Sequence, residues 1–201
     1  MNTFIKPAIL LFLCFLPTNA LSQSDSALKI PADVKAFVEP GATAIWLEST
    51  DLNGDGTADF ILVTEKTKAE SEDSDDARDA RSLLILVRDL AGKLTLAKRN
   101  EKVVYCRSCG GVMGYPFAGV EVRRNGFTVN NYGGSSWRWS ESYEFNYSRR
   151  DRTWQLVWVE QENFNALQPK KIRTKILTPR NFGKIDIADF DPAAIGKSGK
   201  K

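Results

Sequence analysis

One loop constrains this chain more than any other stretch. Asp51-Leu-Asn-Gly-Asp-Gly-Thr-Ala-Asp59 runs directly into Phe60-Ile-Leu-Val63. Asp51, Asn53, Asp55 and Asp59 place oxygen side chains at positions 1, 3, 5 and 9, and Gly56 sits where such a loop must turn sharply. Alternate residues of a tight loop can aim several oxygens at one centre, and calcium is a hard cation that takes about six to eight of them. The three carboxylates supply negative charge, Asn53 a neutral carbonyl, and the backbone carbonyl of Thr57 the expected position-7 ligand. A helix–loop–helix calcium site would need a bidentate Glu at position 12, where this chain has Leu62 inside an apolar run. The loop is therefore expected to join two strands, not two helices. The plainer alternative is an Asp/Asn/Gly turn with no ion, since those residues favour turns for local reasons.

From Thr43 to Val63 the D-x-N-x-D-G-x-x-D pattern and the apolar strand behind it resemble the calcium loops of FG-GAP and VCBS-type repeats, units of extracellular β-propellers and adhesins. The resemblance implies a calcium-binding β unit outside the cytoplasm and names no activity. A propeller would need at least four blades, about sixteen strands. The loop occurs once here, so the resemblance is to a single unit.

Residues 1–22 read as a secretory signal peptide: Lys6, an apolar core from Ala8 to Leu16, and a small-residue exit near Ala20 and Ser22. That core is too short to span a bilayer, and no later stretch is expected to cross one. A periplasmic or secreted location follows as an expectation. Residues 23–195 have the length of one domain, and residues 196–201 are expected to fray. The basic residues are scattered and the net charge is only +3, which argues against a nucleic-acid partner.

Cys106 and Cys109 remain after the leader, as Cys-Arg-Ser-Cys. In an exported chain this pair reads as a disulfide closing a tight loop. A redox site would want a helix start after the first cysteine, whereas Gly110-Gly-Val-Met-Gly114 and Pro116 follow. The chain contains no histidine, so Ser-His-Asp and Cys-His catalysis and histidine-ligated metals are excluded. No P-loop, Gly-x-Ser-x-Gly or Gly-x-Gly-x-x-Gly occurs.

Alternating patterns predict a mainly β chain of about ten antiparallel strands, as a sandwich or a strongly curved sheet. Pro31 to Val38 is expected to be one short helix, stopped at Glu39-Pro40-Gly41. Strands are expected at Thr43–Glu48, Phe60–Thr64, Ser82–Val87, Leu94–Ala97, Lys102–Tyr105, Gly119–Arg123, Phe127–Tyr132, Trp137–Tyr147, Trp154–Val159 and Lys171–Leu177. Glu65 to Arg81 is charge-dense, with no apolar residue larger than Ala, and is expected to be a solvated acidic loop. Phe182, Ile185, Ile187 and Phe190 are expected to dock the tail on the body.

Trp137, Arg138 and Trp139 follow Gly133-Gly-Ser-Ser136. They read either as core or as a recognition surface of the Trp and Arg types enriched at interfaces. If the Cys106–Gly114 and Gly133–Ser136 loops meet, they would frame a partner groove. The function expected from the sequence is an exported, calcium-stabilised binding module that contacts a protein or glycan of the cell envelope. The alternatives are a thiol–disulfide enzyme, a carboxylate-based hydrolase using Glu141, Glu144 or Glu160, and a purely structural envelope domain.

Overall fold

The computed structural model describes residues 28–66, 80–168 and 170–195. The leader, the centre of the charge-dense stretch and the final six residues lie outside the described residues. Strands dominate. A four-residue helix α1 (Ala32–Lys35) precedes β1 (Ala42–Thr50), β2 (Asp59–Lys66), β3 (Arg81–Arg88) and β4 (Leu94–Asn100). After a 3₁₀ turn at Gly111–Met113 come β5 (Phe117–Arg123), β6 (Gly126–Gly134), β7 (Trp137–Ser148), β8 (Thr153–Asn165) and β9 (Arg173–Leu177). A short helix α2 (Pro179–Phe182) and two 3₁₀ turns complete the described chain.

The strands form two antiparallel meanders, β1-β2-β3-β4 and β5-β6-β7-β8-β9. Within each sheet every strand pairs with its sequence neighbour, the tendency of consecutive strands. The sequence pattern explains which layer each strand occupies. Ile61-Leu-Val63 and Leu83-Leu-Ile-Leu86 are unbroken apolar runs, and a strand shows both faces to apolar surroundings only when both are covered. Ile61, Val63, Leu83 and Ile85 point into the core shared with the second sheet. Leu62, Leu84 and Leu86 point the other way and are covered by Ile30, Val34, Phe37 and Val38 around α1. The second sheet alternates instead. Phe127, Val129, Tyr143, Phe145, Trp154, Leu156 and Val159 face the core, while Arg123 and Glu144 pair across its outer face.

The predicted strand at Lys102–Tyr105 does not form. Two asparagine side chains take the place of a neighbouring strand. Asn100 Oδ1 accepts from the Lys102 and Val103 N–H groups at 2.8 and 2.7 Å. Asn131 Oδ1 accepts from Tyr105 N–H at 3.2 Å, and Asn131 Nδ2 donates to Val103 C=O at 3.0 Å. Buried backbone groups need partners, and here side chains supply them while Val103 and Val104 enter the core.

The ends of the charge-dense stretch are also ordered differently from expectation. Glu65 and Arg81 are paired strand residues, and Arg81 is fully buried. A two-residue connection, Arg124-Asn125, joins β5 to β6, with Asn125 at φ 64°. The tail docks as its apolar residues suggest. Ile187 and Phe190 are buried, and Phe182 and Ile185 pack against the same core.

Candidate functional site

The Asp51–Asp59 loop closes the β1–β2 hairpin and sits where the two sheets join. Leu52, its second residue, is fully buried in the shared core. Leu52 C=O accepts a 2.9 Å hydrogen bond from Trp154 Nε1 on β8, and Asp51 C=O accepts from Asn125 N–H at 2.9 Å. Sequence reading missed both partners, since nothing local to Trp154 or Asn125 points to residues far back along the chain.

Each acid of the loop has N–H partners. Asp51 accepts from Gly54 and Gly56 at 2.7 and 3.2 Å. Asp55 accepts from the Thr57 N–H at 2.8 Å and from Asn53 Nδ2 at 2.8 Å. Asp59 is fully buried, and its two oxygens accept from Leu52 N–H and Arg88 N–H at 3.0 Å each. Burial raises the Asp59 carboxyl above the usual aspartate range, its two N–H donors oppose the rise, and the Asp55 and Asp51 charges add to it. Gly54 and Gly56, at φ 80° and 93°, provide the left-handed turns that coil the loop.

Fit to calcium is therefore a matter of donor chemistry. The loop offers only hard oxygen donors, and a carboxylate oxygen that accepts one N–H keeps a second lone pair. Asp51, Asn53, Asp55, Asp59 and the Thr57 carbonyl are the groups that would hold the ion. Among the described residues no set of three or more acidic, Cys or His side chains stands ready-clustered for a metal. In this geometry the acids bond mainly the loop's own N–H groups, with Asp59 also holding Arg88 N–H on β3.

The second candidate region is built by loops of the other sheet. Cys106 and Cys109 are joined, with Cα atoms 5.2 Å apart. The loop that follows meets the β6–β7 connection: Gly134 N–H donates to Gly110 C=O at 2.8 Å, and Tyr132 N–H to Pro116 C=O at 2.7 Å. Glycine is required at Gly133, where a Cβ would lie 2.5 Å from the Trp139 ring and 2.9 Å from Gly110 C=O. Ala166 N–H donates to Ser136 C=O at 2.8 Å, which brings in the loop after β8. These three loops carry Val112 (86 % exposed), Met113, Tyr115, Trp137 (62 %) and Leu167 (87 %).

Of the three residues expected at a partner surface, Trp137 is open and the other two are engaged. Arg138 Nη1 donates to the Tyr132 hydroxyl at 2.7 Å. Trp139 packs against Tyr105, with ring centroids 5.6 Å apart. Arg81 clamps this region from the first sheet. Its guanidinium bonds Glu65 Oε2 at 2.8 and 2.6 Å and Tyr105 C=O at 3.0 Å, and lies 4.0 Å from the centre of the Tyr115 ring.

Of the three carboxylates considered for hydrolysis, Glu141 is parted from the other two. Successive strand residues point to opposite faces. Glu144 and Glu160, which lies opposite Ser142, share the outer face, and Glu141, opposite Gln161, lies on the inner face. Glu141 Oε2 accepts from the hydroxyls of Tyr105 and Tyr143, and Oε1 accepts from Gln161 Nε2 at 3.0 Å. Burial and the neighbouring Glu141 charge raise both phenols above the ordinary tyrosine value, so both stay protonated at neutral pH.

Comparison with protein-family models, with curated proteins and with solved structures returns no match to this chain.

Proposed function

We propose that the chain is an exported binding module of the cell envelope, stabilised by calcium at Asp51–Asp59, that contacts a protein or glycan through the loop end of its second sheet. The observation that carries this reading is the gathering of Trp137, Val112, Met113 and Leu167, exposed, on loops tied together by backbone hydrogen bonds. Exposed large apolar side chains that cluster mark interaction surfaces, whereas scattered ones need no explanation. A disulfide and a buried Arg81 hold the platform beneath them, which limits the ordering cost of binding. The apolar leader-like segment Ala8–Leu16 and the cysteine pair support export. Calcium would bridge Asp51, Asn53, Asp55 and Asp59 and neutralise their charge at the sheet junction.

The test is amide chemical-shift mapping of the purified domain against envelope proteins and glycans, alongside Trp137→Ala. Shifts at residues 112–115 and 134–139, lost in the variant, are expected. A partner that binds the variant undiminished would overturn the docking surface.

A thiol–disulfide reading is favoured by one observation, the exposure of Cys109 beside Ser108 and Arg107. Insulin reduction by the wild type, abolished in Cys106→Ser, would establish it in place of the binding module.

A further inference from the structure

Glu141 faces a cleft of about 500 Å³, lined by Lys102, Tyr105, Cys109, Gln161, Asp191 and, on its aliphatic side, Pro192, Ala193 and Ile195. That volume falls within the range of small-molecule sites, about 300–1,000 Å³. The cluster at its wall is rich in oxygen acceptors. Tyr105 Oη, Tyr143 Oη and Glu141 Oε2 make three mutual contacts, the two phenols lying 2.9 Å apart and Tyr143 2.5 Å from the carboxylate. Two phenolic hydroxyls thus converge on one carboxylate oxygen of Glu141. A carboxylate has about four lone-pair sites. Glu141 uses three, two for the phenols and one for Gln161.

Several occupants can be weighed on charge and hydrogen-bond sense. Among the described lining residues two acids, Glu141 and Asp191, stand against one cation, Lys102, which pairs with Asp191 at 2.7 Å. Phosphates and carboxylates are thereby disfavoured. An ammonium would satisfy the surplus acceptors but has no lone pair for the remaining N–H groups of Gln161 and Lys102. A hydroxyl both donates and accepts. The aliphatic wall from Pro192 to Ile195 suits the C–H face of a ring that carries such hydroxyls.

We infer that this cleft is a binding subsite for a neutral saccharide unit, held by adjacent hydroxyls on Glu141 and Gln161 with its apolar face on Pro192 and Ile195. The subsite deepens the glycan side of the proposed function and rests on the chain being a binding module. It contains none of Trp137, Val112, Met113 and Leu167 and meets their platform only at Tyr105 and Cys109, so the two readings can fail separately.

The experiment is a chemical-shift titration with N-acetylglucosamine, with methyl glucopyranoside and, as a cationic control, with n-butylammonium, each raised to tens of millimolar. Expected are saturable shifts of the Gln161 side-chain amide and the Tyr105 amide with a sugar. Binding should weaken about tenfold or more in Glu141→Gln, which removes a charged acceptor, and remain unchanged in Trp137→Ala. If Glu141→Gln does not fold, Gln161→Leu carries the test, with the same loss expected. Absence of sugar-induced shifts at these residues overturns the inference, as does a response to butylammonium alone. So does full retention of sugar binding in the cleft variant used.

Discussion

The Asp51–Asp59 loop and the cysteine–glycine loop end are both turns that break strand pattern, yet they are built in opposite ways. The acidic loop is closed on itself. Its carboxylates hold its own N–H groups and that of Arg88 on β3, Leu52 plugs the core, and Trp154 and Asn125 bind its carbonyls. The cysteine–glycine end holds its backbone tightly but turns apolar side chains outward. The contrast separates two uses of a turn. One joins the sheets, and a cation would strengthen that junction. The other ties its backbone together and leaves Val112, Trp137 and Leu167 exposed. Substitutions in the first should therefore act mainly on stability, and substitutions of the outward residues in the second mainly on binding.

The largest expected effect tests the clamp beneath the platform. Arg81→Ala removes a buried cation and leaves Glu65 and the Tyr105 carbonyl without it. Breaking such a pair should cost about 4 kcal/mol and lower the melting temperature by about 10 °C or more. Calorimetry checks it, and an unaltered melt would mean that the platform does not depend on the first sheet. Next, Asp59→Ala strands two N–H groups, of Leu52 and Arg88. Urea unfolding should show a loss of about 3 kcal/mol without calcium present. A near-neutral result would leave the acidic loop no different from an ordinary exposed turn.

Calcium separates the two regions directly. At a hundredfold excess over its dissociation constant it should add about 2.7 kcal/mol and raise the melt by several degrees, an effect absent in EDTA and in Asp55→Ala. No shift would reduce Asp51–Asp59 to a self-satisfied turn. Replacing Cys106 and Cys109 by serine opens a very short loop and should cost about 2 kcal/mol by chain entropy, while the calcium response persists unchanged. The smallest stability effect belongs to Trp137→Ala, within about 0.5 kcal/mol, combined with the loss of partner binding. A large destabilisation there would erase the contrast and make the tryptophan a structural residue.

Much of the fold was legible because its determinants are local. Alternation and apolar runs placed the strands, and Cys-Arg-Ser-Cys pointed to its disulfide. The meeting of the Cys106–Gly114 and Gly133–Ser136 loops could be anticipated only as a conditional, which Gly134 N–H and Gly110 C=O fulfil. Lys102–Tyr105 looked like a strand because its residue types are those of a strand. The side chains that replace a partner strand come from Asn100 and Asn131, and strand propensity carries no information about them. Arg81 looked solvated because its sequence neighbours are charged, yet pairing opposite Glu65 buries it.

The sequence by itself thus determined nine of the ten expected strands and the cysteine pair, since periodicity and turn preferences act over a few residues. Tertiary structure alone decided that Trp154 seals the acidic loop, that Glu141 is parted from Glu144 and Glu160 by the sheet, and that two tyrosines and a glutamine converge on Glu141. Those outcomes depend on register and on the satisfaction of buried polar groups by residues far away in the chain. Such partners are fixed only when the sheets pack.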